Sequence, residues 1–147
     1  MEILRANTSD TPELKELAVA SKAHWGYAAE WMARWTQWIH ISPEFLEKYE
    51  VYKLVEEGQM LGWCALLITG DRAHLEDLWV RRDRIGTGLG RILFEYAAHR
   101  ARAGGAIHLD LDADPNAVGF YQHMGMVITG ERNAEMDRTI PTMEMDL

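Results

Sequence analysis

The stretch from Glu76 to Ala97, EDLWVRRDRIGTGLGRILFEYA, constrains the fold more than any other part of the chain. The apolar run Leu75 to Val80 has strand character, and a basic, glycine-bearing turn follows from Arg81 to Gly90. Leu89, Ile92, Leu93, Tyr96 and Ala97 then fall at i, i+3, i+4, i+7 and i+8, the apolar stripe of an amphipathic helix. Strand, glycine turn and helix in that order build an anion site. The first turn of a helix carries N–H groups without intrahelical partners and a partial positive charge. Gly86, Gly88 and Gly90 let this backbone approach a phosphate with no Cβ in the way.

Two phosphate motifs are excluded. A Walker loop needs Gly-x4-Gly-Lys-Ser/Thr, and the chain has no Gly-Lys pair. The dinucleotide fingerprint starts at Gly86 and Gly88 but meets Arg91 at its third glycine. It also opens a larger βαβ domain, and only 57 residues (147 less 90) follow Gly90. The segment resembles instead the acetyl-CoA-binding motif of the GCN5-related N-acetyltransferases (GNAT), roughly Arg/Gln-x-x-Gly-x-Gly/Ala at a strand-to-helix junction. Here the motif reads Ile85-Gly86-Thr87-Gly88-Leu89-Gly90, with Ile85 in the usual Arg/Gln position and Arg84 beside it.

The remaining chain sorts by pattern. Glu2 to Ala6 reads as a strand. Thr8, Ser9 or Asp10 caps a helix that has Pro12 in its first turn and Leu14, Leu17, Ala18 and Ser21 on one face. Gly26 interrupts, and a second helix covers Ala28 to Ile39. Trp31, Trp35 and Trp38 are spaced i, i+4, i+7 on it, with Trp25 and Tyr27 just before. These rings either pack against a sheet or form a wall of an acceptor pocket, where aromatic faces hold an amine or an apolar group. Ser42-Pro43-Glu44 starts a further short helix to about Tyr49. Val51 to Glu56, Met60 to Thr69 and Ala73 to Arg81 read as three antiparallel strands joined by the Glu57-Gly58 and Thr69-Gly70-Asp71 turns. After the central helix, stopped by Gly104-Gly105, Ile107, Leu109 and Leu111 alternate with His108 and Asp110 in a strand. Asp114-Pro115 caps a helix to about Met124. Met126 to Glu131 and Thr139 to Leu147 close the chain as paired strands, with Pro141 expected on an edge or bulge. The order β-αα-βββ-α-β-α-ββ is also that of the acetyltransferase fold.

A second motif carries the same resemblance. Asp114 to Met126, DPNAVGFYQHMGM, is similar to the family's Asn-x-x-Ala-x-x-Phe-Tyr-x-x-x-Gly-Phe segment; Ala117, Phe120, Tyr121 and Gly125 match in register. The resemblance implies an α/β (α+β) GNAT-like acyl-CoA N-acyltransferase fold, a mixed central sheet flanked by about four helices, in one domain spanning residues 1–147. It also implies acetyl-CoA as cosubstrate. Gly86, Thr87, Gly88, Leu89, Gly90 and Arg91 would take the pyrophosphate. The backbone of Leu78, Trp79 and Val80 would hold the pantetheine arm, Asn116 would touch the cofactor, and the first two helices would flank the acceptor pocket. Tyr121 matches the family's general-acid tyrosine and would also contact the cofactor; its structural alternative is a core tyrosine.

The chemistry needs a base at one end and an acid at the other. A lysine-like amine, with a reference pKa of about 10.4, is only about one part in 2,500 neutral at pH 7, and only the neutral form attacks a thioester. Glu76 is the candidate base, because on an alternating strand it shares a face with Leu78 and Val80. The same string resembles the corresponding strand of polyamine acetyltransferases, whose first acid has this role. The plainer alternative is a solvated Glu76 or one paired with an arginine such as Arg72. At the other end, a tyrosine (reference value about 10) can donate to a departing thiolate of about 8.5 without being tuned.

Other features exclude functions. A net charge of −8 argues against nucleic acid. The single cysteine, Cys64, sits in the apolar run Trp63 to Ile68 and reads as a buried hydrophobe; with no leader-like or long apolar span, a reducing cytoplasm and no membrane are expected. His108, Asp110, Asp112 and Asp114 form an alternating polar row explained by a half-exposed strand, so no metal is expected. His24, His40, His74, His99 and His123 carry no spacing signal. The expected activity is acetyl transfer to a small-molecule primary amine, polyamine- or amino-sugar-like, by direct attack in a ternary complex. The alternatives are a protein lysine or N-terminus as acceptor, or a non-catalytic acyl-CoA sensor. A homodimer is a family-level expectation.

Overall fold

A computed structural model describes all residues from Met1 to Leu147. Seven strands lie in the order β1-β2-β3-β4-β5-β7-β6. They are β1 (Glu2–Arg5), β2 (Glu50–Glu56), β3 (Gln59–Thr69), β4 (Arg72–Val80), β5 (His108–Asp112), β6 (Val127–Ala134) and β7 (Arg138–Asp146). The helices are α1 (Thr11–Ala23), α2 (Ala29–Trp38), α3 (Pro43–Lys48), α4 (Leu89–Ala103) and α5 (Val118–His123), the five that the residue pattern gave. The sheet is mixed: β4 and β5 pair in parallel, while β1 with β2, β5 with β7 and β6 with β7 are antiparallel. Contacts group the chain into two compact units, Met1–Ala65 with Asp77–Leu93, and Leu66–Glu76 with Phe94–Leu147, so the chain changes unit inside β3, β4 and α4.

In the first unit, Asp10 occupies the N-cap position of α1, one of the three expected, and a 3-10 turn (Thr8–Asp10) capped by Asn7 precedes it. Asn7 Oδ1 accepts from Ser9 N at 3.0 Å, and Asp10 Oδ2 accepts from Asn7 N at 2.9 Å, a reciprocal box. The expected face of α1 is buried: Leu14, Leu17, Ala18 and Ser21. Trp63 of β3 is fully buried and its Nε1–H donates to the Leu14 carbonyl at 3.0 Å, which satisfies the one polar atom an indole brings inside. Ser42 caps α3 as expected, accepting from Phe45 N at 3.3 Å. Cys64 is fully buried, and burial pushes its thiol up to about 12, so it is a small hydrophobe and not a nucleophile.

In the second unit, Ala97, Ala98 and Ala101 of α4, Leu109 and Leu111 of β5, and Met143 of β7 form the core. α4 ends at Gly104-Gly105, with Gly104 N bonding back to Arg100 O at 3.0 Å. Pro141 departs from expectation: β7 is an interior strand between β5 and β6, and the edge is β6. The strand tolerates it because the Pro141 carbonyl accepts from Ala113 N, just past the last β5 pair of Asp112 with Thr142. The N–H and C=O of an extended residue point the same way, so the donor that proline lacks would have pointed beyond the end of β5.

Candidate active site

The glycine turn and the second half of β4 belong to the first unit. Burial alternates along β4 through Glu76 and then stops alternating, with Asp77, Leu78, Trp79 and Val80 all half-buried. The backbone here is held by β3. Arg81 N donates to Leu61 O at 2.8 Å. A Cβ at Gly62 would sit 2.6 Å from the Trp79 carbonyl oxygen, so only glycine allows this approach. A 3-10 turn (Arg82–Arg84) follows, with Arg81 clamped on Asp83 by bonds of 3.1 and 2.9 Å. Thr87 then donates to the Arg84 carbonyl from both its N–H, at 3.3 Å, and its hydroxyl. Gly86 and Gly88 have φ of +83° and +90°, conformations that L side chains rarely adopt, and no atom lies within 4 Å of where their Cβ atoms would be. Leu89 is buried and anchors the start of α4, whose first bond runs from Ile92 N to Gly88 O at 3.3 Å. Gly86, Thr87, Gly88, Leu89, Gly90 and Arg91 thus form one open turn at a helix N-terminus. Its backbone donors and vacant glycine faces fit a pyrophosphate.

The aromatic residues of this unit partly follow the packing expectation, since the buried Trp35 meets Trp79 of β4, and they add a feature that neither expectation described. Lys22 of α1 is 3% exposed, and its Nζ lies 5.0 Å from the ring centroid of Tyr27, 5.4 Å from Trp31, 5.4 Å from Trp35 and 6.0 Å from Trp79. Tyr27 stacks on Trp31, and Trp35 meets Trp79 edge-on. The faces of Tyr27, Trp31, Trp35 and Trp79 thus surround the chain's own Lys22 amino group. Trp35 is core, whereas Trp25 and Trp38 are exposed and outside this cage. A separate cavity of about 920 Å³, bordered by Glu13, His24, Gln59 and Arg82, contains none of the expected site residues.

The second unit carries the two candidate proton carriers. Tyr121, on α5, is buried against Phe94 and Phe120, with ring centroids 6.1 and 5.2 Å away. Asp114 orients Asn116, accepting from its backbone N–H and from its side-chain Nδ2, each at 2.9 Å. Arg138 lies 3.6 Å from the other oxygen of Asp114. Glu76 does not pair with Arg72, which bonds Asp110 and Glu144 instead. Its partner is His74, whose Nε2 lies 3.0 Å from Glu76 Oε2 while Nδ1 lies 2.5 Å from Asp110 Oδ1. Ionised carboxylates only accept, so both ring nitrogens donate and the ring is an imidazolium. The bond to Glu76 leads in raising the His74 pKa, to about 9; burial opposes it and Asp110 adds to it.

The members of the alternating row each have a polar partner. His108 meets Asp146, Asp110 meets His74 and Arg72, Asp112 meets Arg132, and Asp114 meets Arg138. The parallel pairing of β4 with β5 covers Arg72 to His74 against His108 to Asp110 and ends there, although both strands continue.

Four contributors escaped the sequence reading. Gly62 had a signal, a glycine inside a strand run. Lys22 had a weaker one, a lysine one turn beyond the apolar face of α1. His74 and Asp110 had none, because their meeting depends on the register of β4 on β5.

The model of the acetyltransferase (GNAT) family matches residues 11–126. The chain belongs to this family. Among solved structures, a GCN5-related N-acetyltransferase from Rhodopseudomonas palustris superposes on this GNAT chain with a TM-score of 0.85 at 22% identity, covering 99% of this chain and 95% of that one. The PaiA N-acetyltransferase from Thermoplasma acidophilum, solved with coenzyme A, gives 0.77 at 20% identity over 99% and 98% of the two chains. A ribosomal-protein-alanine N-acetyltransferase from Escherichia coli gives 0.73 at 20% identity over 99% and 92%. At these identities the likeness is one of fold. No curated protein gives a significant match. No helix is long and apolar enough to cross a membrane.

Proposed function

We propose that this GNAT chain acts as one acetyl-CoA-dependent N-acetyltransferase domain that acetylates a primary amine of a small molecule, polyamine- or amino-sugar-like, by direct attack in a ternary complex. The observation that carries the reading is the glycine turn. Two left-handed glycines, Gly86 and Gly88 on either side of Thr87, open the N-terminus of α4, with no atom in the space a side chain would take. When bound, acetyl-CoA supplies an acyl thioester, an electrophile the chain itself lacks. The backbone of Gly86 to Arg91 grips the pyrophosphate at the N-terminus of α4, where the helix presents its partial positive charge. Leu78, Trp79 and Val80 offer their backbone to the pantetheine arm; the early end of β4–β5 pairing and the close support from Gly62 are consistent with this. Asn116, pre-oriented by Asp114, contacts the cofactor.

Glu76 removes a proton from the incoming ammonium, and Tyr121 donates one to the departing thiolate. A tyrosine packed between two phenylalanines keeps water from the leaving group. The protein-acceptor reading draws support from the Escherichia coli neighbour, which acts on a ribosomal-protein alanine.

Calorimetric titration with acetyl-CoA tests the reading, followed by thiol release against a panel of a polyamine, an amino sugar and an N-terminal peptide. The expected result is a Kd on the order of micromolar with release on the polyamine or the amino sugar. Gly88→Val, which forces a β-branched residue to φ +90°, is expected to weaken binding at least about tenfold. No binding overturns enzyme and sensor alike. Binding with release only on the peptide transfers the activity to protein acceptors, and binding without release on any amine leaves an acyl-CoA sensor.

A further inference from the structure

Glu76 is one end of a chain of three titratable groups. His74 and Glu76 are two apart on β4, and Asp110 faces His74 from β5 in the parallel register His74 with Asp110. The ring spans them, Nδ1 to Asp110 and Nε2 to Glu76. All three side chains retain partial solvent contact: 30% for His74, 39% for Glu76 and 29% for Asp110. Asp110 is linked to further charges: Arg72 of β4, 3.4 Å away, and Glu144 of β7, which pairs with Asp110 in the ladder and also binds Arg72. The neighbouring residues of β3 in this unit, Leu66 to Thr69, carry no titratable group. Three carboxylates, Glu76, Asp110 and Glu144, and one guanidinium, Arg72, thus belong to the same network as the ring.

Resting on the proposed role of Glu76 as base, we propose that Glu76, His74 and Asp110 form a proton relay. Glu76 takes the proton of the attacking ammonium and passes it to Nε2 of His74, while Asp110 anchors the opposite nitrogen.

The steps balance. An N–H bond of the ammonium breaks as an O–H forms on Glu76; that O–H breaks as Nε2–H forms, and the ring later releases the proton to solvent. The relay answers an energetic difficulty. A carboxylate with a reference pKa of about 4.3 is roughly six units less basic than a lysine-like amine, so a proton left on it returns readily. A histidine held near 9 closes most of that gap. Such a ring is a full imidazolium at neutral pH and becomes a receptor as the pH rises toward 9, so the relay opens on the alkaline side. His74 is a positioning and relay residue; it does not touch the substrate.

Histidine-ring NMR titration of the full chain, with His74→Gln to assign the resonance, tests the geometry. The His74 midpoint is expected near 9, and Asp110→Asn and Glu76→Gln are each expected to lower it by about one unit or more. A midpoint at the ordinary value of about 6.5, or one that neither substitution moves, overturns the relay. The pH dependence of acetyl-CoA-dependent thiol release, measured with spermidine and with the less basic glycinamide, tests the function. A limb that moves with the amine belongs to the substrate, and one common to both belongs to the enzyme. His74→Gln should abolish the common limb and lower kcat about tenfold or more with KM for acetyl-CoA unchanged, and Asp110→Asn should shift that limb to lower pH. If Glu76→Gln slows the reaction but His74→Gln and Asp110→Asn leave the limb in place, the relay fails and Glu76 stands as base. If Glu76→Gln changes nothing, the base assignment itself fails and takes the relay with it.

Discussion

At the scale of single residues, position in the sheet decides what a side chain does more than its type. Tyr121 is enclosed by Phe94 and Phe120, and as the proposed acid it has one hydroxyl to lose. Tyr121→Phe should lower kcat at least about tenfold in stopped-flow thiol release, with calorimetric affinity for acetyl-CoA unchanged. Unchanged turnover would make it a core ring alone. Cys64 illustrates a reading made from pattern alone: an apolar run predicted burial, and the thiol is indeed buried and held up to about 12. His74 illustrates the opposite. A histidine two residues before a glutamate is unremarkable on paper, and only Asp110, 36 positions later, turns it into a clamped cation.

At the scale of elements, β4 with its turn and the α1–α2 pair are the informative cases. The strand–turn–helix reading of Leu75 to Ala97 was legible because glycines at Gly86 and Gly88 answer a local backbone demand, positive φ, that does not depend on distant contacts. The tryptophan face of α2 was legible only as a face. Spacing placed Trp31, Trp35 and Trp38 together, yet Trp35 is 3% exposed and Trp38 53%, because helix packing covers one end of the stripe. The buried end closes around Lys22. Lys22→Ala should therefore cost about 2–4 kcal/mol in urea unfolding, combining a cavity among four rings with the lost cation–π contacts. Lys22→Met, which refills the cavity and offers sulfur to the rings, should cost clearly less. Equal costs for the two variants would mean that the charge, and not the filled volume, dominates the cage.

At the scale of the whole molecule, stability should depend on pH through His74. Its folded pKa, about 9, lies above the ordinary 6.5. The proton it binds therefore stabilises the fold fully below about pH 6.5, and this contribution is lost as the pH rises through about 9. Differential scanning calorimetry from pH 6 to 10 should show Tm falling across that window in the native chain, and a flatter profile in His74→Gln. Parallel profiles would assign the alkaline loss to other groups.

By itself, the sequence determined the order of elements, the glycine turn before the central helix, the burial of Cys64 and the family, because each rests on local periodicity, on glycine's backbone freedom or on short motifs. Tertiary structure alone decided that Glu76 bonds His74 and not Arg72, that Arg72 turns to Glu144, that Pro141 is tolerated in an interior strand, and that the aromatic faces enclose Lys22. The physical reason is common to all four. Each depends on strand register or on helix packing, which bring together residues tens of positions apart, and the strength of a charge or ring contact is set by that distance and by the water excluded around it.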